Sequence, residues 1–280
     1  LLDKVIKFII LLLAVSTIVA VFAAFGIQKE VTPEALNQFS LTRGADIFFL
    51  IAFIGWMPAP IELSVWSSAW NIAKTEQLGY VPKLKDAITE FRISYIGTTL
   101  LAMGFLAMGA LVMYGTGEEF SSSGTRFSEQ LINMYTTSLG SWAYWIVSIA
   151  ATTTMISTTI TVMDGYPRVL SPIFRNLFPV QWNGLKNKQI LTWIWYAILI
   201  VGATIIIAFA TKSMGAMVSL ATSLSFLTAP ILAWLNYKVV TDKHMPAEAV
   251  PGLFLRILSW VGISFFVIFS FVFLYWKYLI

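Results

Sequence analysis

Residues 54–60 read Ile54-Gly55-Trp56-Met57-Pro58-Ala59-Pro60, inside an apolar stretch that runs from 46 to 74. As one helix that stretch would be about 44 Å long at 1.5 Å per residue, more than the roughly 30 Å hydrocarbon core of a bilayer requires. Two prolines two residues apart remove two backbone donors and push Met57 and Ala59 away from helical backbone angles. The pattern therefore predicts a helix that breaks at 55–60 rather than one that bends. A break at membrane depth frees carbonyls of the first half and N–H groups of the second. Such groups are tolerated only where they line a cavity or meet protein partners, and half-helices of this kind mark substrate and ion sites in secondary transporters.

The surrounding chain is that of a membrane protein. Of 280 residues, 58% are hydrophobic and 11% charged, and the mean hydropathy is +0.79, whereas soluble domains carry about 25% charged residues. So few charges cannot cover a water-soluble surface, which excludes cytosolic enzymes and nucleic-acid binders and makes the lipid bilayer the principal partner. The expected fold is all-α and polytopic, a single transmembrane domain over 1–280. Seven spans are expected near 5–27, 46–74, 88–114, 141–164, 189–211, 214–237 and 252–276. Because the chain opens on a helix at Leu1 rather than on a methionine, a fragment lacking upstream helices is expected. Thirteen of the 18 Lys and Arg residues fall on one side of this topology, so the N-terminus is expected in the cytoplasm, opposite to the seven-helix receptors.

With no cysteine and His244 the single histidine, thiolate chemistry and clustered-histidine zinc sites are excluded. No H-E-x-x-H, G-x-S-x-G or P-loop pattern occurs in the chain, so the expectation is a protein that is not an enzyme.

Candidate functional residues gather at the break. The Met57 thioether suits soft divalent ions such as Mn(II), Fe(II), Co(II) or Cd(II) better than Ca(II) or Mg(II). Glu62 is a carboxylate inside an apolar segment, where acids point to proton or ion handling. It also falls just after Pro60, where it would complement the positive end of the second half-helix, and both readings stand at this stage. Residues 214–230 form a hydroxyl-rich helix carrying Ser219, Thr222, Ser223 and Ser225 before Pro230, suited to face the same cavity. The serines and threonines of 148–161 read as packing groups. Gly165 and Pro167 are expected to stop that helix, and 127–135 reads as an amphipathic segment at the external interface.

In the order of these features the chain resembles the C-terminal part of the Nramp (natural resistance-associated macrophage protein) divalent-metal transporters, about helices five to eleven of eleven. The family's sixth helix carries A-x-x-M-P-H, and this chain has Ile54-Gly55-Trp56-Met57-Pro58-Ala59. Val162-Met163-Asp164-Gly165 is similar to the V-M-E-G that ends the family's eighth helix, and Phe226-Leu227-Thr228-Ala229-Pro230-Ile231 to its proline-bearing tenth. The resemblance implies an inverted-repeat transporter fold of the LeuT type. It also implies Met57 and the Ile54 carbonyl as metal ligands, a pathway through Gly55, Trp56, Pro58, Ala59, Pro60, Glu62, Ser219 and Thr222, and missing N-terminal helices of the same protein as partners. Three departures stand out: Ala59 replaces the family histidine, the tenth-helix glutamine is absent, and Lys188, Thr192 and Trp193 stand where many members have arginines.

The expectation is thus a secondary transporter of divalent transition-metal cations, Mn or Fe foremost, coupled to protons and working by alternating access around the break. The metal would be cargo, with no resident cofactor, and the setting a bacterial plasma membrane. The alternatives are a transporter of the same fold carrying an organic solute, and a non-transporting membrane scaffold subunit.

Overall fold

The computed structural model describes residues 2–33, 36, 39–40, 42–57, 59–179, 189–210 and 213–278. Among them the regular structure is helical throughout. In chain order the helices are α1 (Leu2–Ala24), α2 (Gly44–Trp56), α3 (Leu63–Leu78), α4 (Leu84–Met108), α5 (Gly124–Leu139), α6 (Ala143–Leu177), α7 (Gln189–Ala210), α8 (Met214–Val240) and α9 (Leu253–Tyr278). Five are long and apolar enough to cross a membrane: α4 with its extension to Met113, α6, α7, α8 and α9. Two shorter apolar stretches lie at Phe8–Ala24 and Asp46–Trp56. Large apolar side chains such as Phe209, at 83% exposure, and Phe254, at 75%, point outward from these helices. Surface of that kind belongs in lipid, and the chain is an integral membrane protein.

The expected second span is two helices, α2 and α3, separated by residues 57–62. Gly55 and Trp56 still belong to the last turn of α2, so the break begins two residues later than the proline pattern alone suggested. The fourth span also differs from expectation. Helix α6 does not stop at Gly165 but continues through Pro167 and Pro172 to Leu177. Gly165 is not among the glycines with positive φ, so it does not form the left-handed cap that ends many helices. What it supplies is closeness: a Cβ there would lie 2.5 Å from Cε3 of Trp66.

The chain divides into two compact units. The first comprises Leu1–Asn37, Val65–Tyr80 and Leu100–Gly215. Its core gathers Ala20, Met108, Met113, Met134, Tyr135 and Val147. Segment 127–135 lies within α5, as its amphipathic pattern predicts, but it is more than an interfacial strip because Met134 and Tyr135 are buried. The Tyr135 hydroxyl lies 2.6 Å from Thr17 Oγ1, which also donates to the Leu13 carbonyl. Burial raises the Tyr135 phenol's pKa, an effect partly offset by the Thr17 hydrogen bond. Tyr135→Phe is expected to destabilise the protein by about 1 kcal/mol, the net value of one buried hydrogen bond, read as a small fall in Tm in detergent. The end of α4 winds more loosely over Gly109–Met113. There the Lys29 ammonium donates to the carbonyls of Ala110 and Tyr114, both at 2.7 Å, a cationic cap on a helix C-terminus.

The second unit comprises Gln38–Ser64, Val81–Thr99 and Ala216–Ile280. Ile47, Ile51, Phe226 and Phe273 form its core, with Phe48, Ile54 and Phe266 packed around them. Phe48 meets Phe273 edge to face at 5.3 Å. Every break residue named above falls in this unit.

Candidate functional site

Helix α2 ends because the amide donors at 58 and 60 are missing. In a continuing helix the carbonyls of Ile54 and Trp56 would accept from residues 58 and 60, and both are prolines. Met57 leaves the helix in extended geometry, φ −103° and ψ 128°, while its own N–H still reaches the Phe53 carbonyl. The chain re-enters helix through a turn at 61–62, in which Pro60 and Ile61 carbonyls accept from the amides of Leu63 and Ser64. Two carbonyls without helical partners and one thioether are therefore brought within a single turn. Pro58, the other expected pathway residue here, lies outside the described residues.

Gly55 decides how closely α2 meets α8. The position is buried, and a Cβ on it would lie 2.2 Å from the Thr222 carbonyl oxygen and 3.3 Å from Cβ of Phe226. Only glycine fits. The hydroxyl-rich helix does reach the break, although not as a row of hydroxyls pointing into it. Thr222 Oγ1 donates back along its own helix to Val218 and Ser219 carbonyls at 2.8 and 3.1 Å. Ser219 is exposed.

The polar contact that joins the two elements pairs Glu62, an expected pathway residue, with Ser225, which the pathway assignment did not include. Ser225 Oγ lies 2.8 Å from Glu62 Oε1 and 2.9 Å from Oε2, and donates to that carboxylate. Ser225 stands one helical turn beyond Thr222, so the Gly55 contact and the Glu62 contact share a face of α8. The i, i+3 spacing of the two residues was visible in the sequence, but nothing local singled them out from Ser219 and Ser223. Ala59, Pro60 and Met57 are half-buried beside this seam, and Trp56 is 42% exposed.

Among the described residues no group of three or more His, Asp or Glu side chains is placed to hold a metal. A cation at the break would thus rely on thioether and carbonyl donors, and Glu62 is the carboxylate near them in sequence. A groove of about 740 Å³ along α9, lined by Tyr237, Arg256, Trp260 and Phe265 among others, contains none of the break residues. Its almost wholly apolar wall suits a lipid chain better than an ion.

Fold and site together define a polytopic helical membrane protein with an interrupted helix seated on a hydroxyl-bearing neighbour. The chain is 36% identical over 279 residues to an uncharacterized protein of Pasteurella multocida (strain Pm70), an alignment covering 98% of this chain and 61% of that protein. The chain thus spans about three-fifths of its relative's length. No protein-family model matches it, and no solved structure does.

Proposed function

We propose that this chain is part of a secondary transporter that carries divalent transition-metal cations, with Met57 and the Ile54 carbonyl as ligands supplied by the break between α2 and α3. The observation that carries the reading is the end of α2. Met57 sits in extended backbone, one residue past a helix whose Ile54 and Trp56 carbonyls have no proline N–H to meet. Carbonyl oxygens with one thioether make a site that favours Mn(II), Fe(II) or Cd(II) over Mg(II), because the sulfur contributes little to a hard ion. Alternating access around the break, proton coupling, the LeuT-type fold and the N-in orientation belong to the same proposal. So do further helices of the same protein completing the site, and residence in a bacterial plasma membrane. The Pasteurella relative supports the bacterial setting.

The test is Cd(II) binding by the complete protein in detergent. Met57→Ala is expected to weaken Cd(II) binding by about tenfold or more, or about 1.4 kcal/mol, and Mn(II) binding less, as befits the softer ion's preference for sulfur. An unchanged Kd for Cd(II) in a folded Met57→Ala protein rules out the thioether ligand. If an organic solute is the cargo instead, its uptake will not be competed by Mn(II).

A further inference from the structure

Glu62 differs from the other carboxylates whose partners are described. Asp46 pairs with Arg43 at 3.0 Å and Asp164 with Arg168 at 2.7 Å, and Asp242 pairs with His244. Among the described residues the partner of Glu62 is the neutral hydroxyl of Ser225, and no Lys, Arg or His lies within ion-pair distance of it. A single hydroxyl has a single proton, so it serves one carboxylate oxygen at a time, and the half-buried Glu62 keeps acceptor capacity for other partners.

Among the described residues, the positive charges on the elements around it stand at their far ends. Helix α8 carries no charged residue from Met214 to Tyr237, and on α2 the ionisable group is Asp46, already paired. Along α3 the first charge after Glu62 is Lys74, and α9, which packs on α2, has Arg256, Tyr275 and Lys277 near its ends. Carboxylates within apolar membrane segments and without a fixed counter-charge are the usual carriers of protons and ions. The contact with Ser225 can hold in either state. The ionised carboxylate accepts from the hydroxyl, and the neutral acid donates its O–H to the same oxygen.

We propose that Glu62 is the group that takes a proton from bulk water and returns it as the cation passes the break, with Ser225 as its positioning partner. This rests on the reading of the break as a cation pathway. The exchange is a simple protonation, carboxylate plus one proton giving the acid, and needs no other reactant.

The experiment uses the complete protein in two measurements. In an infrared pH titration of the purified, metal-free protein, a neutral-carboxyl C=O band is expected to grow on acidification. One component of that band should be lost in Glu62→Gln and displaced in frequency in Ser225→Ala, a change that a purely structural serine would not cause. In liposomes, the ratio of proton flux to Mn(II) flux is expected to fall in Glu62→Gln whatever the Mn(II) rate, and to survive in Glu62→Asp. A difference spectrum identical in wild type and Glu62→Gln overturns the proposal, as does a wild-type flux ratio in that variant. A folded Glu62→Gln protein that passes no Mn(II) overturns it too, because Glu62 then holds the cation itself. Wild-type protein that moves no Mn(II) at all overturns the transport reading instead, and the coupling with it, while the infrared titration still reports whether Glu62 takes up a proton.

Discussion

Gly55→Ala is expected to prevent the protein from being recovered as a monodisperse species in detergent, or to lower its Tm by a large margin. The opposing effects have known sizes. Alanine in a helix is favoured over glycine by about 1 kcal/mol, so on an isolated helix the substitution would stabilise. Here the new methyl would sit 2.2 Å from the Thr222 carbonyl oxygen and 3.1 Å from its carbonyl carbon. Overpacking a tight site costs about 1–3 kcal/mol when side chains can shift, and more when they cannot. The obstacle is backbone, inside a helix whose Phe226 is fully buried, so neither partner can yield without separating α2 from α8. For the same reason no substitution at Thr222 should rescue it, since every residue carries that carbonyl. A Gly55→Ala protein with wild-type Tm and wild-type Cd(II) affinity would mean that α2 and α8 do not cross at this point, and would remove the seam on which the candidate site is built.

The sequence makes some of this architecture readable and hides the rest, for physical reasons. The break is legible because Pro58 and Pro60 act locally: a missing donor is a property of the residue itself, whatever surrounds it. Membrane residence is legible because it is written in bulk composition. The extent of α6 is not, because glycine and proline are ambiguous. Gly165 looks like a stop signal, but it serves contact with Trp66, 99 positions earlier in the chain. The Glu62–Ser225 bond is non-local in the same way. Helix α8 offers hydroxyls on several faces, and only its rotation relative to α2 selects Ser225 for the carboxylate while leaving Ser219 exposed. Tyr135 is a comparable case, since its pattern marks an amphipathic helix but cannot name Thr17 as the buried partner of its hydroxyl.

The half-helix after the break should show the same dependence on a glycine, with one difference. Gly165→Ala would place a methyl 2.5, 2.8 and 2.9 Å from Cε3, Cζ3 and Cδ2 of Trp66. That ring is only 6% exposed. It meets Trp70 edge to face at 5.9 Å and Tyr166 at 4.7 Å, and Trp70 in turn donates its indole N–H to Asp164 at 2.7 Å. The indole therefore has little room to swing aside, and Gly165→Ala is expected to cost about 1–3 kcal/mol. Unlike Thr222 at Gly55, however, the obstacle is a side chain that can be made smaller. Trp66→Leu alone should also destabilise, by opening a cavity next to Gly165. In the double variant the leucine and the new methyl share that space, so the combined loss should fall short of the sum of the single losses by about 1–2 kcal/mol, the coupling expected of residues in contact. Thermal denaturation of the four proteins in one detergent measures this directly. Simple additivity would mean that Trp66 is not seated on Gly165. Coupling here, together with the absence of any rescue at Gly55, would establish that α2 rests on the backbone of α8 and α3 on α6 through an indole, so that the two ends of the break are held by contacts of different kinds.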